Sequence, residues 1–215
     1  MGKIKCVGAL LCRNEAAPDR YLARVLTNVK QFVDEVVVLD DASTDDTVAI
    51  CKAAGATVHE REGGGGWWGG ASASRNSEGN ARATLWRLAS TAAAGGWVYV
   101  ADADHELLGI APRDFQRLLT ASEVDAWACP LMDCWHDDQH HRVDGWWQAW
   151  RLPRAWLARA YDAPQWSQRG IHAGHLPDRA WRVGLMPPSA FIRHLGYVAE
   201  KHRVDKRRKY LQISG

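Results

Sequence analysis

Two aspartates separated by a single alanine, Asp102 and Asp104, close the apolar run WVYVA at residues 97–101. Carboxylates so near one another repel unless a cation sits between them. Hard oxygen ligands of this kind suit Mg²⁺ or Mn²⁺, which are commonly held by one or two carboxylates together with substrate phosphates. Two other polar groups end apolar runs in the same manner: Arg13-Asn14-Glu15 after residues 4–11, and Asp40-Asp41 after EVVVL. A single aspartate at a strand end reads first as a helix cap or turn former. Three such ends in one chain point to a site, because ligands of open α/β sheets bind beyond the carboxyl ends of the strands, where helix N-termini aim their N–H groups.

The elements that must position these groups alternate. Residues 4–11 read as a buried strand. Residues 19–32 carry Tyr21, Leu22, Val25, Leu26, Val29 and Phe32 at spacings of three and four, with Pro18 near the start, which predicts a helix. EVVVLDD reads as a second strand, followed by a helix capped by Ser43 or Thr44 and ended by Gly55. ATVHE is a short strand. The segment REGGGGWWGGASAS suits a loop, and its Trp67 and Trp68 suit a lid that closes on substrate. Residues 77–94 predict a long helix leading to WVYVADAD. This alternation predicts a mainly parallel sheet with helices on both faces. Beyond it, residues 112–121 read as a helix, DAWACPLMDCW as one strand, and residues 136–181 show no clean periodicity. The tail VAEKHRVDKRRKYLQ reads as a basic helix with a local net charge of +4.

NEA after the first strand, VVVLDDASTDDTV, and WVYVADADHEL together resemble the bacterial family 2 glycosyltransferases of GT-A fold, over residues 4–110. The tail FIRHLGYVAEKHRVDKRRKYL is similar to the HYGY-plus-basic-helix ending of a subgroup that includes bacteriocin peptide glycosyltransferases. The resemblance implies an α/β, Rossmann-like GT-A fold in a single domain spanning residues 1–215. Its nucleotide-sugar and metal half would be residues 1–110, its acceptor half 111–198 and its basic helix 199–215. It also implies transfer of a sugar from a nucleoside diphosphate donor, expected to be a UDP-sugar, with inversion and with Mn²⁺ or Mg²⁺ on the diphosphate. By the same resemblance, Asp41 would bind the donor base, with Asp40 beside it and Leu11, Arg13, Asn14 and Glu15 lining the pocket. Asp102 would lie near the ribose or a metal-bound water, Asp104 would reach the metal, His194 the metal or the diphosphate, and Arg82 would organise the nucleotide site.

Two departures bear on the chemistry. The usual DADE reads DADH, so that His105 replaces a carboxylate, and a downstream HE dipeptide reads His172-Ala173, which removes a glutamate suited to be the general base. Candidate bases are then His172, His175, Asp133 and Asp137; an imidazole, with an ordinary pKa near about 6.5, can accept a proton near neutral pH. The chain has 12 tryptophans, eight of them within residues 127–181, and these offer stacking surfaces for an acceptor as well as core. The acceptor itself, whether a sugar, a lipid-linked glycan, a peptide or a modified nucleobase, is left open.

Composition narrows the field. At 215 residues, with 47% hydrophobic and 24% charged, the chain is neither disordered, collagen-like nor a coiled coil. A net charge of +2 makes no general case for nucleic acid. No apolar run approaches a membrane span and the N-terminal stretch lacks a signal-peptide pattern, so a cytoplasmic location is expected. Five scattered cysteines are read as reduced thiols, against the alternative of a zinc cluster of Cys129, Cys134, His136, His140 and His141. Besides the transferase reading stand a catalytically silent GT-A-like module that binds nucleotide sugar or glycan, and a nucleotidyltransferase, which would use similar carboxylates.

Overall fold

The computed structural model describes residues 3–61, 78–144, 148–162, 164–166 and 174–213. Every residue of strand β1 (Cys6–Cys12) is buried. Its even-numbered side chains Cys6, Leu10 and Cys12 join the cluster built on Leu22, Val25, Leu26 and Val29 of α1 (Leu22–Val29), while Val7, Ala9 and Leu11 join Ala81, Leu85, Trp86 and Ala89 of α3 (Glu78–Ala93). Burial on both faces is why this strand is a continuous apolar run rather than an alternating one.

Strands β2 (Glu35–Asp40) and β4 (Trp97–Asp102) flank β1 in parallel, and β3 (Thr57–Glu60) extends the sheet beyond β2. On the other side come β8 (Arg154–Arg159), β6 (Ala126–Cys129) and β9 (Val183–Leu185), giving the order β3-β2-β1-β4-β8-β6-β9. Only β8 runs against the rest. Helix α2 (Thr47–Ala53) and α4 (Pro112–Leu118) cover the α1 face through Cys51 and Phe115. The expected parallel sheet with helices on both faces is therefore present.

A second sheet, β5-β10-β7, lies against this one, with β5 at His105–Leu108, β7 at Leu131–Asp133 and β10 at Phe191–His194. It begins where the sequence reading had one strand. Pro130 separates β6 from β7; without an N–H it cannot continue as a ladder donor, and its carbonyl instead accepts the Ile192 N–H at 2.8 Å. Residues before and after 110 thus share both sheets. Strand β8 also runs through the region that showed no periodicity. Helix α2 starts at Thr47, later than expected, and the side chains of the proposed caps bond elsewhere: Ser43 Oγ donates to Asp40 Oδ1 (2.5 Å) and Thr44 Oγ1 to Asn14 Oδ1 (3.5 Å). The basic tail forms α5 (Glu200–Ile213) as expected. Among the described residues no helix is long and apolar enough to cross a membrane.

Candidate active site

Because β1, β2 and β4 are parallel and in register, with Leu11 beside Asp102 and Cys12 beside Asp40, their polar ends emerge along one edge. The loop after β1 is laced to the loop after β2. The Asn14 N–H donates to Ser43 Oγ (2.9 Å) and the Glu15 N–H to Thr47 Oγ1 (2.7 Å), with Asn14 itself at φ 51°, a left-handed conformation that asparagine tolerates. Asp40 closes its own turn onto Ser43. Asp41 is fully buried, 3.0 Å from Arg61 Nη1 and 3.8 Å from Arg13 Nη1, and Arg13 also donates to the Asp41 carbonyl at 2.8 Å.

At the end of β4, Asp102 is held from both sides. Arg82 Nη2 donates to Oδ1 (3.0 Å), and His175 Nε2 lies 3.1 Å from Oδ2. Arg82 is buried in the first turns of α3 and also donates to Glu78 (2.8 Å), so its charge is shared by two carboxylates. Burial by itself would raise the Asp102 carboxyl, but Arg82 and His175 outweigh it and hold the group well below the usual carboxylate range.

Two residues on, Asp104 meets His194 at the end of β10, with His194 Nε2 3.2 Å from Asp104 Oδ2. The other ring nitrogen, Nδ1, is 2.5 Å from Oδ1 of buried Asp133 on β7, the arrangement by which a carboxylate fixes the tautomer and orientation of a metal-binding histidine. Lys206 of α5 reaches the same point, its Nζ 3.4 Å from His194 Nε2 and 3.7 Å from Asp104 Oδ2. Gly196 forms the floor. A Cβ there would collide with Asp104 Oδ2, His194 Nε2 and Lys206 Nζ, so three polar atoms converge on a space that only glycine leaves open. Burial opposes ionisation of both Asp104 and His194, yet their mutual attraction lowers the carboxyl and raises the imidazole.

His105 stands between the two aspartates. Burial pushes its imidazole down to about 3, against the pull of Asp102 and Asp104, leaving a neutral ring whose Nδ1 accepts the Asp102 N–H at 3.4 Å. Among the described residues the groups able to hold a metal are Asp104-His105-His194 and Asp102-His105-His175. Both contain the histidine that in the sequence stood as a departure from DADE. Neither contains a cysteine; all five cysteines are free and buried, so the zinc-cluster alternative has no counterpart here. Nothing in the sequence distinguishes Lys206 from its five basic neighbours in the tail.

The four candidate bases separate. His175 lies in the Asp102 cluster, packed at 4.4 Å on Trp156. Asp133 is buried against His194, and Asp137 turns to His140 Nδ1 at 2.8 Å and to the Gln139 and His140 N–H groups. His172 lies outside the described residues, as do Trp67, Trp68, Trp146 and Trp147. Of the described tryptophans, Trp86, Trp97 and Trp156 are core, and Trp135 is packed by Tyr197 (5.8 Å), Arg142 (4.8 Å) and Arg203 (5.0 Å).

A Rossmann-like sheet with carboxylates at the ends of β2 and β4, extended by a small sheet that returns a histidine to the same edge, is the GT-A fold. The sequence pattern of glycosyl transferase family 2 matches residues 10–155, and the chain belongs to that family. An uncharacterized glycosyltransferase of Rickettsia felis is 51% identical over 49 residues, 23% of this chain and 16% of that protein. A TPR repeat-containing protein of Synechococcus elongatus is 38% identical over 198 residues, 87% of this chain and 41% of the relative. The chain therefore spans less than half the length of these relatives. Among solved structures, glucosyl-3-phosphoglycerate synthase from Mycobacterium tuberculosis in complex with Mn²⁺, UDP and glucosyl-3-phosphoglycerate aligns at 27% identity and a TM-score of 0.40. The alignment covers 60% of this chain and 44% of that one.

Proposed function

We propose that this domain transfers a glycosyl group from a nucleoside diphosphate sugar, with UDP as the favoured nucleotide, to an acceptor, inverting the anomeric centre. The observation that carries the reading is the convergence of Asp104 and His194 over Gly196, at the strand edge where buried Asp41 and half-buried Asp102 also lie. Asp104 and His194 would hold Mn²⁺ or Mg²⁺, with neutral His105 adjacent. A divalent ion bound there supplies positive charge to offset what grows on the departing diphosphate.

The chain's own residues do the rest. Asp133 keeps His194 turned with Nε2 toward Asp104. Arg82 and His175 fix Asp102, which would face the ribose side of the donor. A base takes the acceptor proton as the acceptor atom bonds to the anomeric carbon; the bond from that carbon to the diphosphate oxygen breaks, and its electron pair leaves with the nucleotide. His175 is the base this geometry favours among the described residues, because its imidazole is already oriented by a carboxylate. His172 is the alternative.

The test is UDP release from a panel of UDP-sugars with Mn²⁺. Asp104→Asn is expected to cut turnover at least about 100-fold. Because His175 also holds Asp102, His175→Ala is expected to lower transfer more than it weakens UDP and Mn²⁺ binding. Nucleotide-sugar binding without any turnover, with or without acceptor, would replace this reading by that of a silent binding module. NMR of the first-formed product checks inversion, which retention of configuration would overturn.

A further inference from the structure

Lys206 approaches the cradle over Gly196 without the short contacts of a settled ion pair. Its ammonium is 3.7 Å from Asp104 Oδ2, 3.4 Å from His194 Nε2 and 4.2 Å from the centre of the Tyr197 ring, whose face attracts a cation. Ammonium-to-carboxylate hydrogen bonds normally close to about 2.7–2.9 Å. Asp104 Oδ2 and His194 Nε2 stand 3.2 Å apart, and both face, with Lys206 Nζ, the spot that a Cβ on Gly196 would fill. The ammonium borders this space without closing on either partner. The lysine is delivered by a helix whose attachment is local: buried His202, one turn before, has Nε2 3.0 Å from Asp19 Oδ2 in the loop ahead of α1.

We propose that Lys206 is a tethered competitor for the divalent ion. It occupies the Asp104–His194 cradle in the nucleotide-free protein and is displaced when the ion enters, after which the freed ammonium pairs with the donor diphosphate. This rests on the reading that Asp104 and His194 hold the ion. Ion and lysine cannot share the cradle, since one would bring two positive charges and the other one into contact distance. The ion alone must therefore expel the lysine without compensation. The ion arriving with a diphosphate gives the lysine new acceptors, which couples metal and nucleotide binding.

Calorimetric titration of Mn²⁺, with and without saturating UDP, into the wild type and the Lys206→Met, Lys206→Gln and Asp104→Asn variants tests this. Both Lys206 variants are expected to bind free Mn²⁺ about tenfold or more tightly than wild type, from the removal of a like charge. The factor by which UDP improves Mn²⁺ affinity should shrink in both. Equal or weaker binding of free Mn²⁺ by the Lys206 variants, with binding lost in Asp104→Asn, overturns the competition and leaves the metal site standing. Mn²⁺ affinity unchanged in Asp104→Asn overturns the site assignment itself.

Discussion

A glycine decides the chemistry at the residue scale. The cradle at Gly196 is polar on three sides and open only where a methyl group would sit. Gly196→Ala should therefore act without replacing a ligand: the new methyl pushes Asp104, His194 and Lys206 apart, and Mn²⁺ affinity in the presence of UDP falls by about tenfold or more. Far-ultraviolet circular dichroism should remain that of the wild type, because the turn lies outside the strands. Unchanged Mn²⁺ affinity would show that the three polar atoms do not form the ion's site. The sequence already displayed most of these residues, as Asp102, Asp104 and His194 follow from strand ends and from the resemblance. His105 and Gly196 were not legible, since one was read as a lost carboxylate and the other is one of 19 glycines, and only the folded geometry gives either a role.

At the scale of elements, α5 is polar and basic, and among its residues 200–208 only His202 is buried. Its buried anchor is thus one side chain, beside Arg203, which donates to the Tyr197 and Val198 carbonyls at 2.7 Å and lies over Trp135. Removing the imidazole leaves the helix without its buried anchor and Asp19 without that partner, a loss on the order of 1–3 kcal/mol. His202→Ala should free the helix while the two-sheet core keeps its melting temperature within a few degrees, so hydrogen exchange should accelerate across 200–208 and not in β1 or β4. If α5 carries the competing lysine, the same variant should tighten free Mn²⁺ as Lys206→Met does. Unaltered exchange in the helix would show that other contacts hold it. The helix was readable from the sequence because its charges follow a helical segment with no breaker. Strand β8 was not: it is six residues, RAWLAR, with arginine at both ends, and its place in the sheet between β4 and β6 comes from partners far away in sequence. The break at Pro130 was visible as a residue, but the assignment of its two sides to different sheets required β10.

The proposed site draws on three bodies: the parallel sheet for Asp41 and Asp102, the small sheet for Asp133 and His194, and the terminal helix for Lys206. The clamp between sheet and helix layers is reinforced away from the site, where buried Glu106 on β5 accepts from Arg24 of α1 and Arg193 of β10, each at 2.9 Å. A ligand that spans these bodies must stabilise all of them together rather than one loop. At a ligand concentration about 100 times its dissociation constant, binding adds about 2.7 kcal/mol, which for a domain of this size corresponds to roughly 5–11 °C in melting temperature. UDP with Mn²⁺ should produce a shift of that order in a single cooperative transition. UDP alone should give much less, and Asp104→Asn should lose the part that depends on Mn²⁺. Ligand-induced protection from hydrogen exchange should appear in β2, β4 and β10 together. A shift confined to a separate, low-temperature transition, or protection limited to the β1 and β2 loops, would mean that the nucleotide contacts only the edge around Asp41 and that the second sheet does not take part in holding it.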